Sequence, residues 1–153
     1  MIEKLQNYNS IYSEWKALGR TAEAARLLTL NQVDAFEQII NDDESWQKLL
    51  EIVAAGRNED AWLASDWPAG FDELLLCVPL CKLVDWECSK CIVGKRQNNT
   101  SCAHDDSLFG WAGELVIKKE REALKKHIEN IKKILEPESL YKWNMEKHEL
   151  EFK

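Results

Sequence analysis

The stretch Lys118-Lys119-Glu120-Arg121-Glu122-Ala123-Leu124-Lys125-Lys126-His127-Ile128-Glu129-Asn130-Ile131-Lys132-Lys133-Ile134-Leu135 decides the class of fold. Leu124, Ile128, Ile131, Ile134 and Leu135 recur three and four residues apart, the spacing that lines one face of an α-helix, and Pro137 stops the run. The remaining positions hold seven Lys or Arg against three Glu, so this helix carries a basic face. Such a face is either solvated or set against an acidic patch or a phosphate. His127, next to Ile128, reads as partly exposed.

Upstream the same period returns. Leu5, Tyr8, Ile11, Tyr12, Trp15 and Leu18 form a helical stripe that Gly19 ends. Thr21 is placed to cap a short second helix through Leu28, and Asn31 to cap a third carrying Val33, Phe36, Ile39 and Ile40. Asp42-Asp43-Glu44-Ser45 puts acid at the start of a fourth helix, with Trp46, Leu49, Leu50 and Val53 on its inner face and Gly56 at its end. Calcium is the other use of such acids, but their spacing lacks the Gly and the terminal Glu of an EF-hand loop. Residues 57–70 read as a connector that Trp62 and Trp67 lock onto the core. Asp72-Glu73 reads as a helix first turn, and Pro79 makes that helix kink or begin again. Residues 92–106 read as a polar loop. Asp105-Asp106-Ser107 then offers a cap for a helix carrying Leu108, Phe109, Trp111 and Leu115. In the tail, Tyr141, Trp143 and Met145 alternate and Leu150 and Phe152 follow, the pattern of a hairpin or of a frayed helix.

The expected architecture is thus mainly α: one compact multi-helix domain with a cysteine-knuckle insertion and a short β element at its C-terminus. It is helical over 1–70, cysteine-containing over 71–106, helical again over 107–137, and ends in a tail over 138–153. The chain of 153 residues, 45% apolar and 31% charged, has an ordinary globular composition. Its net charge of −7 argues against a nucleic-acid binder that works by neutralising phosphates. The start of the chain lacks a signal-peptide h-region, and no run of about 18 apolar residues offers a membrane span, which predicts a cytoplasmic protein.

All five cysteines fall between Cys77 and Cys102, at Cys77, Cys81, Cys88, Cys91 and Cys102, and His104 follows. An odd number cannot be fully paired by internal disulfides, and a reducing compartment favours a metal instead. In Cys88-Ser89-Lys90-Cys91, two intervening residues let both thiolates face one tetrahedral ion. The expected zinc set is Cys81, Cys88, Cys91 and Cys102, with Cys77 and His104 as alternates. An iron–sulfur cluster, a redox pair at Cys88 and Cys91, and cysteines without any site are the other readings. Leu80-Cys81, the Cys88–Cys91 knuckle, the loop to Cys102 and the aromatic Phe109 resemble cysteine-rich segments of uncharacterised phage and bacterial proteins, over residues 80–110. Those segments read Cys-x-Leu-Cys, then Cys-x-x-Cys-Pro, then a later Cys before Pro-Tyr. Here Val78 stands at the first cysteine and Ile92 at the proline, and the resemblance implies a shared site without an activity.

No phosphate-cradling glycine loop, nucleophile elbow or His-Glu-x-x-His helix is present in the sequence. His104 is separated from Cys102 by a single residue, too close in the chain for an ordinary base–nucleophile pair. The expectation is an interaction protein of immunity, adaptor or inhibitor type with no catalytic residues. Residues 1–70 hold twelve Asp or Glu against six Lys or Arg, which suits a basic protein partner, and surplus tryptophans suit an interface. The competing class is a metal- or thiol-dependent sensor or enzyme built on Cys81 to His104, with the basic face of 118–133 holding an anion.

Overall fold

Gly19 ends the first helix by turning left-handed, with φ near 90°, where a side chain would be strained. The Arg20 amide reaches back to Trp15 O at 3.0 Å, and the Trp15 indole N–H donates to Thr21 O at 2.9 Å. The corner between the first two helices is therefore fixed from both sides. A computed structural model describes residues 8–55, 78–85, 87–101 and 106–152. The 57–70 connector, Cys77, Cys102 and His104 lie outside those residues.

Helices α1 (Tyr8–Ala17), α2 (Ala22–Asn41) and α3 (Asp43–Ala55) open the fold. Thr21 caps α2 by accepting the Ala24 N–H at 3.1 Å. Two short helices were expected across 21–40, and one helix of 20 residues is found. Asn31 does not interrupt it, because the buried stripe of Ala25, Leu28, Gln32, Phe36 and Ile39 stays in one phase through that position. Thr29, in the middle of the helix, returns its hydroxyl to Ala25 O at 2.8 Å. Asp42 then ends α2 and starts α3, accepting both the amide and the hydroxyl of Ser45. These bonds hold the Asp42 carboxyl below its ordinary range.

Helix α4 (Val78–Leu83) carries Pro79 in its first turn, where the missing N–H has no partner to lose. A 3₁₀ turn at Cys88–Lys90 leads into α5 (Ile92–Lys95), a short helix where the sequence reads as loop. Helix α6 (Leu108–Ile117) is capped by the Ser107 hydroxyl on the Gly110 amide at 3.0 Å. Helix α7 (Arg121–Ile134) follows a turn at Lys118–Lys119. Strands β1 (Tyr141–Asn144) and β2 (Glu149–Phe152) form an antiparallel hairpin with Trp143 opposite Leu150 and Tyr141 opposite Phe152. The tail is thus a hairpin.

The molecule is mainly helical and forms a single compact domain. Helix α2 lies at its centre, touching α1, α3, α4 and α7, while α6 packs on α7 and α3 and the hairpin lies on α7. The shared core holds Phe36, Ile39, Leu49, Phe109, Leu115, Ile128, Ile131 and Trp143, each at most 2% exposed. Burying each such side chain contributes on the order of 2 kcal/mol. Among the described residues, no helix is long and apolar enough to cross a membrane.

Candidate functional site

The cysteine knuckle is shaped by a glycine. A Cβ at Gly94 would lie 1.8 Å from the Cys88 carbonyl oxygen, so only glycine lets α5 fold back this tightly over the turn. Within the turn the Cys91 amide donates to Cys88 O at 3.2 Å, and the Lys95 amide donates to Cys91 O at 2.9 Å. Cys91 is buried, and Cys88 and Cys81 are half-buried. Cys81 sits on α4 against the core. Of the expected zinc ligands, these three fall among the described residues. Among those residues, no three His, Cys, Asp or Glu side chains gather into a group that could hold a metal ion.

Two residues just beyond the knuckle fasten it to the rest of the fold. Arg96, 8% exposed, donates through Nη1 to Ile134 O and to Glu136 O (2.7 Å) and through Nη2 to Pro137 O at 3.1 Å. Its guanidinium thereby caps the carbonyl end of α7, where the helix dipole favours a cation. Burial draws its pKa down, and the nearby Glu136 works against that. The Arg96 carbonyl also accepts the Trp143 N–H at 2.7 Å, tying β1 to the knuckle. Gln97, fully buried, accepts the Leu108 amide at 2.9 Å and donates to Thr100 O at 2.8 Å. Neither residue was singled out by sequence reasoning. Little in the local pattern marks them, because all of their side-chain partners but Thr100 lie 11 to 41 residues away.

A cleft of about 480 Å³ opens beside the knuckle, between it and the start of α2. Leu80, Leu83, Val84 and Ile92 give it apolar walls, with Pro137 at one side. Arg26, Lys90, Lys95 and Arg96 bring four cations to its lining against a single acid, Glu23. Glu23 is held by Arg26, whose Nε lies 3.0 Å from Glu23 Oε2, and this contact lowers the Glu23 pKa. Lys90 pairs with exposed Glu87 at 3.0 Å.

A second polar cluster forms where the hairpin meets α6. His148 has a left-handed backbone, φ near 53°, an uncommon conformation for a residue other than glycine. In that conformation its ring stacks flat on Trp111, with centroids 3.6 Å apart and planes 1° apart. Its Nε2 lies 2.8 Å from Asp106 Oδ1, and the Trp143 indole N–H donates to Asp106 O at 2.8 Å. Asp106 thus joins the start of α6 to β1 and to the hairpin turn. His127 lies behind Trp143 at 4.7 Å between ring centroids.

His127 is 2% exposed, which corrects the expectation of partial exposure. It falls three residues after Leu124 and four before Ile131, inside the apolar stripe, and that spacing was the available signal. Its Nε2 lies 2.5 Å from Leu108 O, while Nδ1 finds no partner among the described residues.

The hairpin also leaves one side open. β1 has β2 on one edge and the Arg96 carbonyl on the other, whereas the outer edge of β2 has no strand partner among the described residues. Glu149 and Glu151 are exposed on one face of β2, and Phe152, 69% exposed, follows on the other.

No protein-family model, no curated protein and no solved structure matches the chain.

Proposed function

We propose that this chain is a cytoplasmic protein-interaction module of inhibitor, adaptor or immunity type, and that a basic partner docks along the outer edge of β2. The observation that carries the reading is the open edge of that strand, which offers backbone N–H and C=O groups to a strand of another protein. Alternation sets the partner's chemistry. Glu149 and Glu151 call for Lys or Arg at every second position, and Leu150 with Phe152 call for apolar residues between them. The net charge of −7 steers such a partner toward the molecule before contact.

The test is affinity capture from the native cell with the full chain and with its Glu149→Lys/Glu151→Lys variant. One stoichiometric basic protein should be recovered by the first and lost from the second, and added salt should release it. The amides of 149–152 should gain hydrogen-exchange protection in the complex. Capture that survives both charge reversal and salt would rule the edge out.

We also propose zinc at Cys88 and Cys91 as a structural ion, its other ligands drawn from Cys81, Cys102 and the alternates Cys77 and His104. The tight 3₁₀ turn that puts the two cysteines three apart, closed by Gly94, favours this reading.

A further inference from the structure

We propose that the cleft beside the cysteine knuckle binds a small molecule with an anionic head group and an apolar body the size of a medium-chain acyl group. This site is separate from the β2 edge and does not depend on the interaction reading. Four features of the cleft converge on that class of ligand.

First, its volume of about 480 Å³ falls in the range of small-molecule sites. Second, Leu80, Leu83, Val84 and Ile92 give the lining apolar side chains, which suit a hydrocarbon body better than a free inorganic ion. Third, the charged part of the lining carries the opposite sign to the molecule. Four cations and one acid line the cleft of a chain whose net charge is −7, so this is a local reversal of the overall field. Fourth, these cations differ in their commitments. Arg96 is fixed by three carbonyls and supplies a stationary charge to the lining. Arg26 is held by Glu23. Lys95 makes no ion pair with a described residue, so its ammonium is the group available to a ligand's head. The first turn of α2 adds to this field. Ala22 and Glu23 both line the cleft, and the first amides of a 20-residue helix have no partner within that helix.

The pairing of chemistries makes a definite demand. Head and body must both be present, because water satisfies an isolated anion on the surface and an isolated alkyl chain gains little from a half-open cleft. Isothermal titration calorimetry of the full chain with decanoate, decanol and inorganic phosphate separates the contributions. Decanoate should bind at least roughly tenfold more tightly than either of the others, and its affinity should fall as salt is raised. Lys95→Glu reverses an exposed charge and should weaken decanoate by roughly tenfold while the thermal midpoint stays put. Glu149→Lys/Glu151→Lys, on the β2 edge, should leave decanoate binding unchanged.

Each contrary result overturns the proposal. Decanol binding as tightly as decanoate would remove the anion, and phosphate binding as tightly would remove the apolar body. No detectable heat with decanoate, or an unchanged affinity in Lys95→Glu, would make the cleft a solvated dent. Loss of decanoate binding in the β2 variant would place the ligand on the hairpin instead.

Discussion

At the scale of single residues, His127 shows how burial fixes a protonation state. Leu108 O can only accept, so the Nε2 beside it carries the hydrogen, and a second proton would have to sit on Nδ1. Burial is the main reason the His127 pKa falls to about 4, with His148 adding to the effect and the Leu108 carbonyl opposing it. The folded value is depressed below that of the unfolded chain. Stability attached to neutral His127 is therefore complete above pH 6.5 and is lost as the pH falls toward 4, a change of about 3 kcal/mol. Replacing His127 by Phe should cost stability near neutrality, since Leu108 O loses its donor. The gap between wild type and variant should then narrow by about 2 kcal/mol between roughly pH 7.5 and 4.5 in urea titrations. A gap that stays constant across that interval would mean that His127 is charged in the folded protein. The stripe of Leu124 to Leu135 is legible, yet the sequence reads His127 as partly exposed because its type outweighs its phase. Periodicity was the better guide.

At the scale of elements, legibility follows how local the cause is. The caps at Thr21 and Ser107, the stop at Gly19 and the alternation in the tail each act within a few residues, and each element formed where the pattern placed it. The division of α2 at Asn31 failed because a cap signal competes poorly with a buried stripe that continues through it. The knuckle stands between these cases. Its Cys88-Ser89-Lys90-Cys91 spacing is visible in sequence, but the use of Gly94 to bring α5 onto Cys88 O is not, since glycine there looks like loop composition. Arg96 and Gln97 extend the same point, because only the fold brings α7 and α6 to them. A structural zinc at Cys88 and Cys91 would form together with the knuckle. Native mass spectrometry of freshly reduced protein should show one zinc per chain, lost in Cys88→Ser together with a fall in thermal midpoint. A mass equal to the bare polypeptide, with no uptake of added zinc, would remove the ion from the fold.

At the scale of the whole molecule, the acidic N-terminal half and the basic face of α7 meet each other. Lys132 reaches Glu37 at 2.8 Å and Asp34 at 3.3 Å on α2. Arg121 reaches Asp43 at 2.7 Å and donates from Nε to Ile40 O, also at 2.7 Å. Part of the face that sequence offers to an outside anion is therefore turned on acids of the same chain. This self-neutralisation orients α7 on α2, while on β2 Glu151 accepts from Asn144 Nδ2 at 2.5 Å and lies opposite Lys142. Glu37, then Asp34, raise the Lys132 pKa, burial opposing them only in part. The ammonium keeps partial contact with water, with 29% of its side chain exposed, so screening must be allowed for. Lys132→Met keeps the length of the side chain and removes its charge. It should destabilise the fold by about 1 kcal/mol at low ionic strength, and the deficit should shrink by about half near 1 M salt, where charges are screened within roughly 3 Å. Chemical denaturation in urea, which adds no ions of its own, reads both values. A deficit independent of salt would assign the contribution of Lys132 to the packing of its methylenes against α2. A variant as stable as wild type would show that α7 is seated by Ile128, Ile131 and Ile134 alone.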